Sequence, residues 1–144
     1  MSVSHILQTK GRNVVTARSD DTVRDVAKSL AEKRIGAIIV TDEKAVIKGI
    51  VSERDIVRCV ATEGLAALDM PVSQIMTKKV KTCADDDSEI ELMALMTENR
   101  IRHLPVVNNG KLGGMISIGD VVKFRIQSIE REASEMKAYI SNAG

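Results

Sequence analysis

Aromatic residues are almost missing from this chain. Its 144 residues include one Phe, one Tyr and no Trp; the two are Phe124 and Tyr139. That excludes the stacking platforms on which single-strand nucleic-acid binders seat bases. An excess of one charge is missing too, since 21 Lys and Arg face 20 Asp and Glu for a formal +1. General nucleic-acid and anionic-membrane binders carry a basic excess, so neither nucleic acid nor membrane is an expected partner. Two cysteines, Cys59 and Cys83, are too few for a disulfide framework, and no CxxC pair or Cys/His cluster suggests zinc. Both are expected to be small, reduced core residues. No apolar run approaches the roughly 20 residues of a membrane span, and Met1–Lys10 lacks the apolar stretch of a secretion signal. A cytoplasmic location is expected. With only two His and no nucleophile–base–orienter set, no catalytic residue and no enzymatic activity are expected.

What the chain does contain is a copy of itself. Val3-Ser-His-Ile-Leu7 recurs as Val72-Ser-Gln-Ile-Met76 at an offset of 69, and Thr16–Val40 matches Thr82–Val106 at 66. Gly49, Ser52 and Asp55 then match Gly114, Ser117 and Asp120 at 65. Offsets that drift only at turns describe a duplicated unit of about 65 residues. In each copy the hydrophobic spacing predicts β-α-β-β-α. Val23, Val26, Ala27, Leu30 and Ala31 make one helical stripe, with Leu92, Met93 and Met96 as counterparts in a helix over about 88–98. Ala37–Val40 and Val46–Val51 read as strands, as do His103–Val107 and Leu112–Ile116 around the hairpin signal Asn108-Asn109-Gly110. Pro105 suggests an edge strand. The organisation is therefore 3–62, a linker at 63–71, 72–126, and a helical extension over 127–144. A unit of this size buries only about 60% of its unfolded surface and is marginal alone, so the two copies are expected to form one interdependent α+β module.

The strongest candidate site is Gly49-Ile-Val-Ser52-Glu-Arg-Asp55, repeated as Gly114-Met-Ile-Ser117-Ile-Gly-Asp120. Each runs from a strand end into a helix, where free N–H groups and the dipole favour an anion and glycine lets a ligand approach. An Asp in the first turn can bind the two hydroxyls of a ribose. Ser-x-x-Asp is equally close to a capping box, which accounts for both pairs without any ligand. Lys78-Lys79-Val80-Lys81 reads as a solvated loop, Asp85–Asp87 as helix N-capping rather than a metal site, and Gly113-Gly114 makes no GxGxxG.

The tandem β-α-β-β-α order, the closing G-h-h-S-x-x-D-h in both copies and Ile101-Arg-His-Leu-Pro-Val106 in the second resemble a cystathionine-β-synthase (CBS) domain pair, or Bateman module. The resemblance covers about residues 3–126. It implies two repeats packed about a pseudo-twofold axis, with clefts that bind AMP, ADP, ATP, NAD(H) or S-adenosylmethionine. AMP stands first, and no metal is required. It also implies frequent homodimerisation and a regulatory output through another protein; the alternative is a ligand-free dimerisation and assembly module. Carried over by position, Asp55 and Asp120 would hold ribose, with Ser52 and Ser117 beside the sugar or phosphate. Thr16 and Thr82 would line the adenine side, together with backbone near Ala37-Ile38 and Leu104-Pro105. Arg54, Arg102 and His103 are the phosphate candidates. Arg54 faces Gly119 in the other copy, and Arg102-His103 replace Gly36-Ala37, so unequal clefts are expected.

At the C-terminus Val122, Ile126, Ile129, Ala133, Met136 and Ile140 follow a 4-3-4-3-4 spacing. A helix over about 119–141 is expected, either supporting a dimer or folding back on its own unit.

Overall fold

The computed structural model describes residues 2–143. Its elements run α1 (Val3–Lys10), β1 (Thr16–Ala17), α2 (Val23–Lys33), β2 (Ala37–Thr41), β3 (Ile47–Ser52), α3 (Glu53–Glu63), α4 (Glu89–Asn99), β4 (His103–Asn108), β5 (Lys111–Ser117) and α5 (Ile118–Ala143). Two 3-10 helices, Gly64–Asp69 and Val72–Gln74, lie between α3 and α4. This is the α+β repeat with a long C-terminal helix.

Local chemistry sets the same boundaries in both copies. Thr22 Oγ1 accepts from Asp25 N at the start of α2, and Ser88 Oγ accepts from Glu91 N at the start of α4, both at 3.1 Å. Both helices stop at an arginine in the left-handed region, Arg34 and Arg100, each with φ 53°. Val23, Val26 and Leu30 bury the inner face of α2; Ala31, at the edge of the expected stripe, is exposed. Leu92 and Met96 do the same for α4. Asp85–Asp87 divide their roles. Asp87 Oδ2 accepts from Ala84 N at 2.8 Å to close a turn, while Asp85 pairs with Arg12 at 2.8 Å. The cap itself is Ser88, a correction to the expected acidic cap.

In the first sheet β2 lies between β1, parallel, and β3, antiparallel. In the second, β4 and β5 are antiparallel and joined through Asn109 and Gly110, whose φ of 53° and 75° fit a type I′ turn. Here β4 is not a plain edge strand as Pro105 suggested. Cys83 pairs with it on the open side, donating to Pro105 O and accepting from Val107 N. Pro105 occupies the position of Ile39 and has no N–H, so the counterpart of β1 shrinks to this single bridge.

The two lobes exchange their leading segments. Val3, Ile6 and Leu7 of α1 sit in the core of the second repeat with Leu92, Met96, Leu104, Ile116 and Phe124. Val72 is buried in the first core with Val26, Ile38 and Val51, and Ile75 and Met76 pack against it. The backbone repeats the exchange: Val3 N donates to Asp87 O at 2.9 Å, and Val72 N to Asp21 O at 2.8 Å. A methyl on Gly49 would lie 2.6 Å from Met76 Sδ, and one on Gly114 would lie 2.8 Å from Leu7 Cδ2. These glycines admit the exchanged side chains, rather than the close ligand approach expected from the sequence. The predicted linker is likewise ordered, with Ala67 of the first 3-10 helix fully buried.

The first 11 residues of α5 dock on the second lobe through Val121, Phe124 and Ser128. Glu89, almost fully buried, accepts from Arg125 and from Ser128 Oγ, tying α4 to α5. From Ile129 to Asn142 every side chain of the helix is exposed. This later part of the helix does not fold back on its own unit.

Leu7→Ala is expected to remove about 2–5 kcal/mol of stability in urea unfolding while the transition stays single. Two separated transitions would mean that the lobes fold independently. Gly49→Ala, which also approaches Thr77 O at 2.9 Å, is expected to cost about 1–3 kcal/mol.

Candidate functional site

Ser52 and Asp55 form a complete reciprocal cap. Asp55 N donates to Ser52 Oγ at 3.3 Å, while Ser52 N and Oγ donate to Asp55 Oδ2 at 2.8 and 3.1 Å. Ser117 and Asp120 repeat it, with corresponding distances of 3.2, 2.8 and 2.9 Å. The first amides of both helices find further partners inside the protein. Glu53 N donates to Gly36 O, and Ile118 N to Arg102 O. The helix N-termini are therefore largely satisfied, a correction to the free N–H groups expected there. Both caps load Oδ2, so each carboxylate keeps its Oδ1 for another donor.

The surroundings of the two carboxylates differ. Lys10 Nζ donates to Asp120 Oδ2 at 2.6 Å and to Met115 O at 2.8 Å, which seats the end of α1 over this cap. Burial opposes ionisation of Asp120, but the bonds from Lys10 and Ser117 outweigh it and hold the carboxyl below its ordinary range. Arg12 is engaged in the same region, by Asp85 and Gly113 O. The counterparts of Lys10 and Arg12 at the 69-residue offset are Lys79 and Lys81. Among the described residues neither makes an ion pair, and neither does Asp55.

Beside Asp55 lies an open cleft of about 260 Å³. From the first repeat it is lined by Ala37, Ser52, Arg54, Asp55 and Arg58, and from the second by Arg100, Arg102 and His103. Lys79 and Lys81 complete its wall. The structure thus brings together six of the sequence-predicted residues: Ala37, Ser52, Arg54, Asp55, Arg102 and His103. Arg102 and His103 serve the cleft of the first repeat, opposite to their assignment from repeat position. Thr16 and Thr82 are exposed and line no part of this cleft. Ile38 and Leu104 turn their side chains into the two cores, and Pro105 is buried in β4. Ser117 and Asp120 lie at the Lys10 contact. Sequence reasoning missed Lys79, Lys81, Arg58 and Arg100. Their signal was the position of Lys79 and Lys81 at the offset from Lys10 and Arg12, which nothing local distinguishes from a solvated loop.

His103 stands between the sites, half-buried against Gly36, where a methyl would lie 3.0 Å from its Cε1. Burial lowers its pKa, and the charges of Lys10 and Arg102 push the same way against Glu53 and Asp120. That shift favours the neutral ring, which has one N–H donor and no full charge. Cys83 is inert, since burial, with the charges of Asp87 and Asp85, pushes its thiol up to about 12.

Comparison with known proteins agrees with this architecture. The family model described as CBS domain matches residues 3–62 and again 72–126. The chain belongs to the CBS-domain family. It is 34% identical over 147 residues to the Arabidopsis thaliana CBS domain-containing protein CBSX3, mitochondrial, covering 96% of this chain and 71% of that protein. The crystal structure of the CBS-domain containing protein ATU1752 from Agrobacterium tumefaciens matches with a TM-score of 0.84 at 47% identity, covering 86% of this chain and 92% of that one. CBS domain protein PAE2072 from Pyrobaculum aerophilum, complexed with AMP, matches with a TM-score of 0.75 at 35% identity, covering 83% and 89%.

The depressed pKa of His103 has a definite sign in stability. The unfolded chain takes up the proton first as pH falls, so stability is full above about pH 6.5 and declines below it. The thermal midpoint is expected to drop between pH 6.5 and 5.5, and His103→Gln is expected to flatten that slope. An unchanged slope in the variant would remove His103 as its source.

Proposed function

We propose that this chain is a regulatory module that senses an adenine nucleotide (AMP, ADP, ATP or NAD(H)) in the clefts of its CBS pair. It passes the signal to a partner protein in the cytoplasm by a change of conformation or assembly. The observation that carries this reading is the Asp55 cleft. There a carboxylate with one oxygen outside its cap opens onto a cavity walled by cations from both repeats. That is the pairing a ribose and its phosphate need. The relative complexed with AMP supports the ligand class.

A ligand spanning α3 and Arg100–His103 touches both lobes, so its binding favours one relative placement of them. Output follows only if the ligand binds the two placements with unequal affinity. We also assign α5 to a homodimer. Ile126, Ile129, Met136 and Ile140 are 49–63% exposed along one heptad-like stripe that a second copy of the helix would cover. The rival reading, a ligand-free dimerisation module, rests on the same stripe and on caps complete without a ligand.

A thermal-shift panel on nucleotide-stripped protein separates the two. A ligand at 100 times its Kd is expected to add about 2.7 kcal/mol of stability, and Asp55→Ala is expected to abolish the shift. A flat panel would favour the ligand-free module, with Asp55→Ala acting only through its lost cap, at about 0.5–2 kcal/mol. In light scattering after size exclusion, Ile126→Glu/Ile129→Glu is expected to give a monomer.

A further inference from the structure

Six cationic side chains, Arg54, Arg58, Lys79, Lys81, Arg100 and Arg102, line the Asp55 cleft against two carboxylates, Glu53 and Asp55. In a chain whose formal net charge is only +1, that is a strong local concentration of positive charge. None of the six is in an ion pair among the described residues. At the Asp120 cap, by contrast, Lys10 and Arg12 are engaged by Asp120 and Asp85. The amides of Ser52, Glu53 and Asp55 are also taken up within the protein. The charge available to an anion in this cleft therefore comes chiefly from side chains, and more of it is present than one phosphate uses. A phosphate monoester carries about −2, and each further phosphate adds about one more negative charge.

We infer that the Asp55 cleft selects an adenosine ligand bearing two or more linked phosphates over the monophosphate, with Lys79 and Lys81 as the specificity-determining pair. This deepens the proposed function and rests on it for the adenosine. Arg54, in the first turn of α3, is on the same element as the ribose carboxylate and is suited to the first phosphate. Lys79 and Lys81 approach on the segment after the second 3-10 helix, and Arg100 and Arg102 from the turn before β4. They ring the cleft from separate elements and suit a chain of phosphates rather than one point charge. Lysines act here as point charges without the planar fork of arginine, so they favour total anionic charge over a fixed phosphate geometry.

The test is calorimetric titration of the nucleotide-stripped full chain with adenosine, AMP, ADP, ATP and inorganic tripolyphosphate, on wild type and Lys79→Ala/Lys81→Ala. ADP or ATP is expected to bind at least tenfold tighter than AMP. The double variant is expected to bring that ratio below threefold, by weakening ADP and ATP at least threefold more than AMP. AMP binding as tightly as ADP and ATP, or an equal loss for every ligand in the variant, would overturn the inference. If tripolyphosphate binds as tightly as ATP, and adenosine and AMP do not bind, the polyanion site stands and the adenosine-sensing function falls. If no ligand in the series binds, both fall. Circular dichroism of the variant confirms that it is folded, because both lysines are exposed and outside the two cores.

Discussion

Two glycines, Gly49 and Gly114, each receive a side chain from the segment that opens the opposite repeat, and the rest of the molecule is arranged around that exchange. Met76 fills the space over Gly49 and Leu7 the space over Gly114, with room for no Cβ in either place. Each lobe therefore has its core completed by chain from outside its own repeat. A core of this size is marginal alone, and closure by a borrowed helix couples the lobes into one folding unit. The exchange also carries the residues that follow Leu7 and Met76 up to the two caps. Lys10 reaches Asp120 in this way, and Lys79 and Lys81 reach the wall of the Asp55 cleft.

The asymmetry of the two caps follows from that placement. Duplication copies the cap, so Ser52/Asp55 and Ser117/Asp120 have nearly the same geometry. It does not copy the electrostatics. One lysine lies in hydrogen-bond contact with its carboxylate and shields it, while its counterpart faces a cavity together with four arginines. An anion brought to Asp120 would have to compete with a 2.6 Å charge-assisted bond, whereas one brought to the Asp55 cleft would relieve repulsion among cations. Unequal clefts were anticipated from Arg54 and Arg102-His103. The larger source of inequality is the pair of exchanged segments.

The long helix α5 joins these features to the outside. Its first part is fastened by Val121, Phe124 and the bonds of buried Glu89 to Arg125 and Ser128. Its second part leaves the lobe with an apolar stripe uncovered. It begins at the Asp120 cap, beside Lys10 and within the electrostatic reach of His103. A single helix thus runs from the Asp120 cap, at the meeting of the lobes, to an exposed apolar stripe.

Local and periodic information was enough for much of this. The repeat, the apolar stripes of α2 and α4, the Asn109-Gly110 turn and the long course of α5 rest on contacts within a few residues and on hydrophobic period. Sequence reading recovered them for that reason, along with Ser52, Asp55, Ser117 and Asp120, whose geometry is set by one helical turn. Tertiary structure decided which core each leading segment enters, that Gly49 and Gly114 admit side chains, and that Arg102 and His103 face the first repeat's cleft. It also decided that Thr16 and Thr82 stand outside that cleft and that Lys79 and Lys81 belong to it. These are relations between residues tens of positions apart, set by complementary volume and charge once the lobes meet. A single chain read in order carries no local signal of which duplicate its own segment will cover.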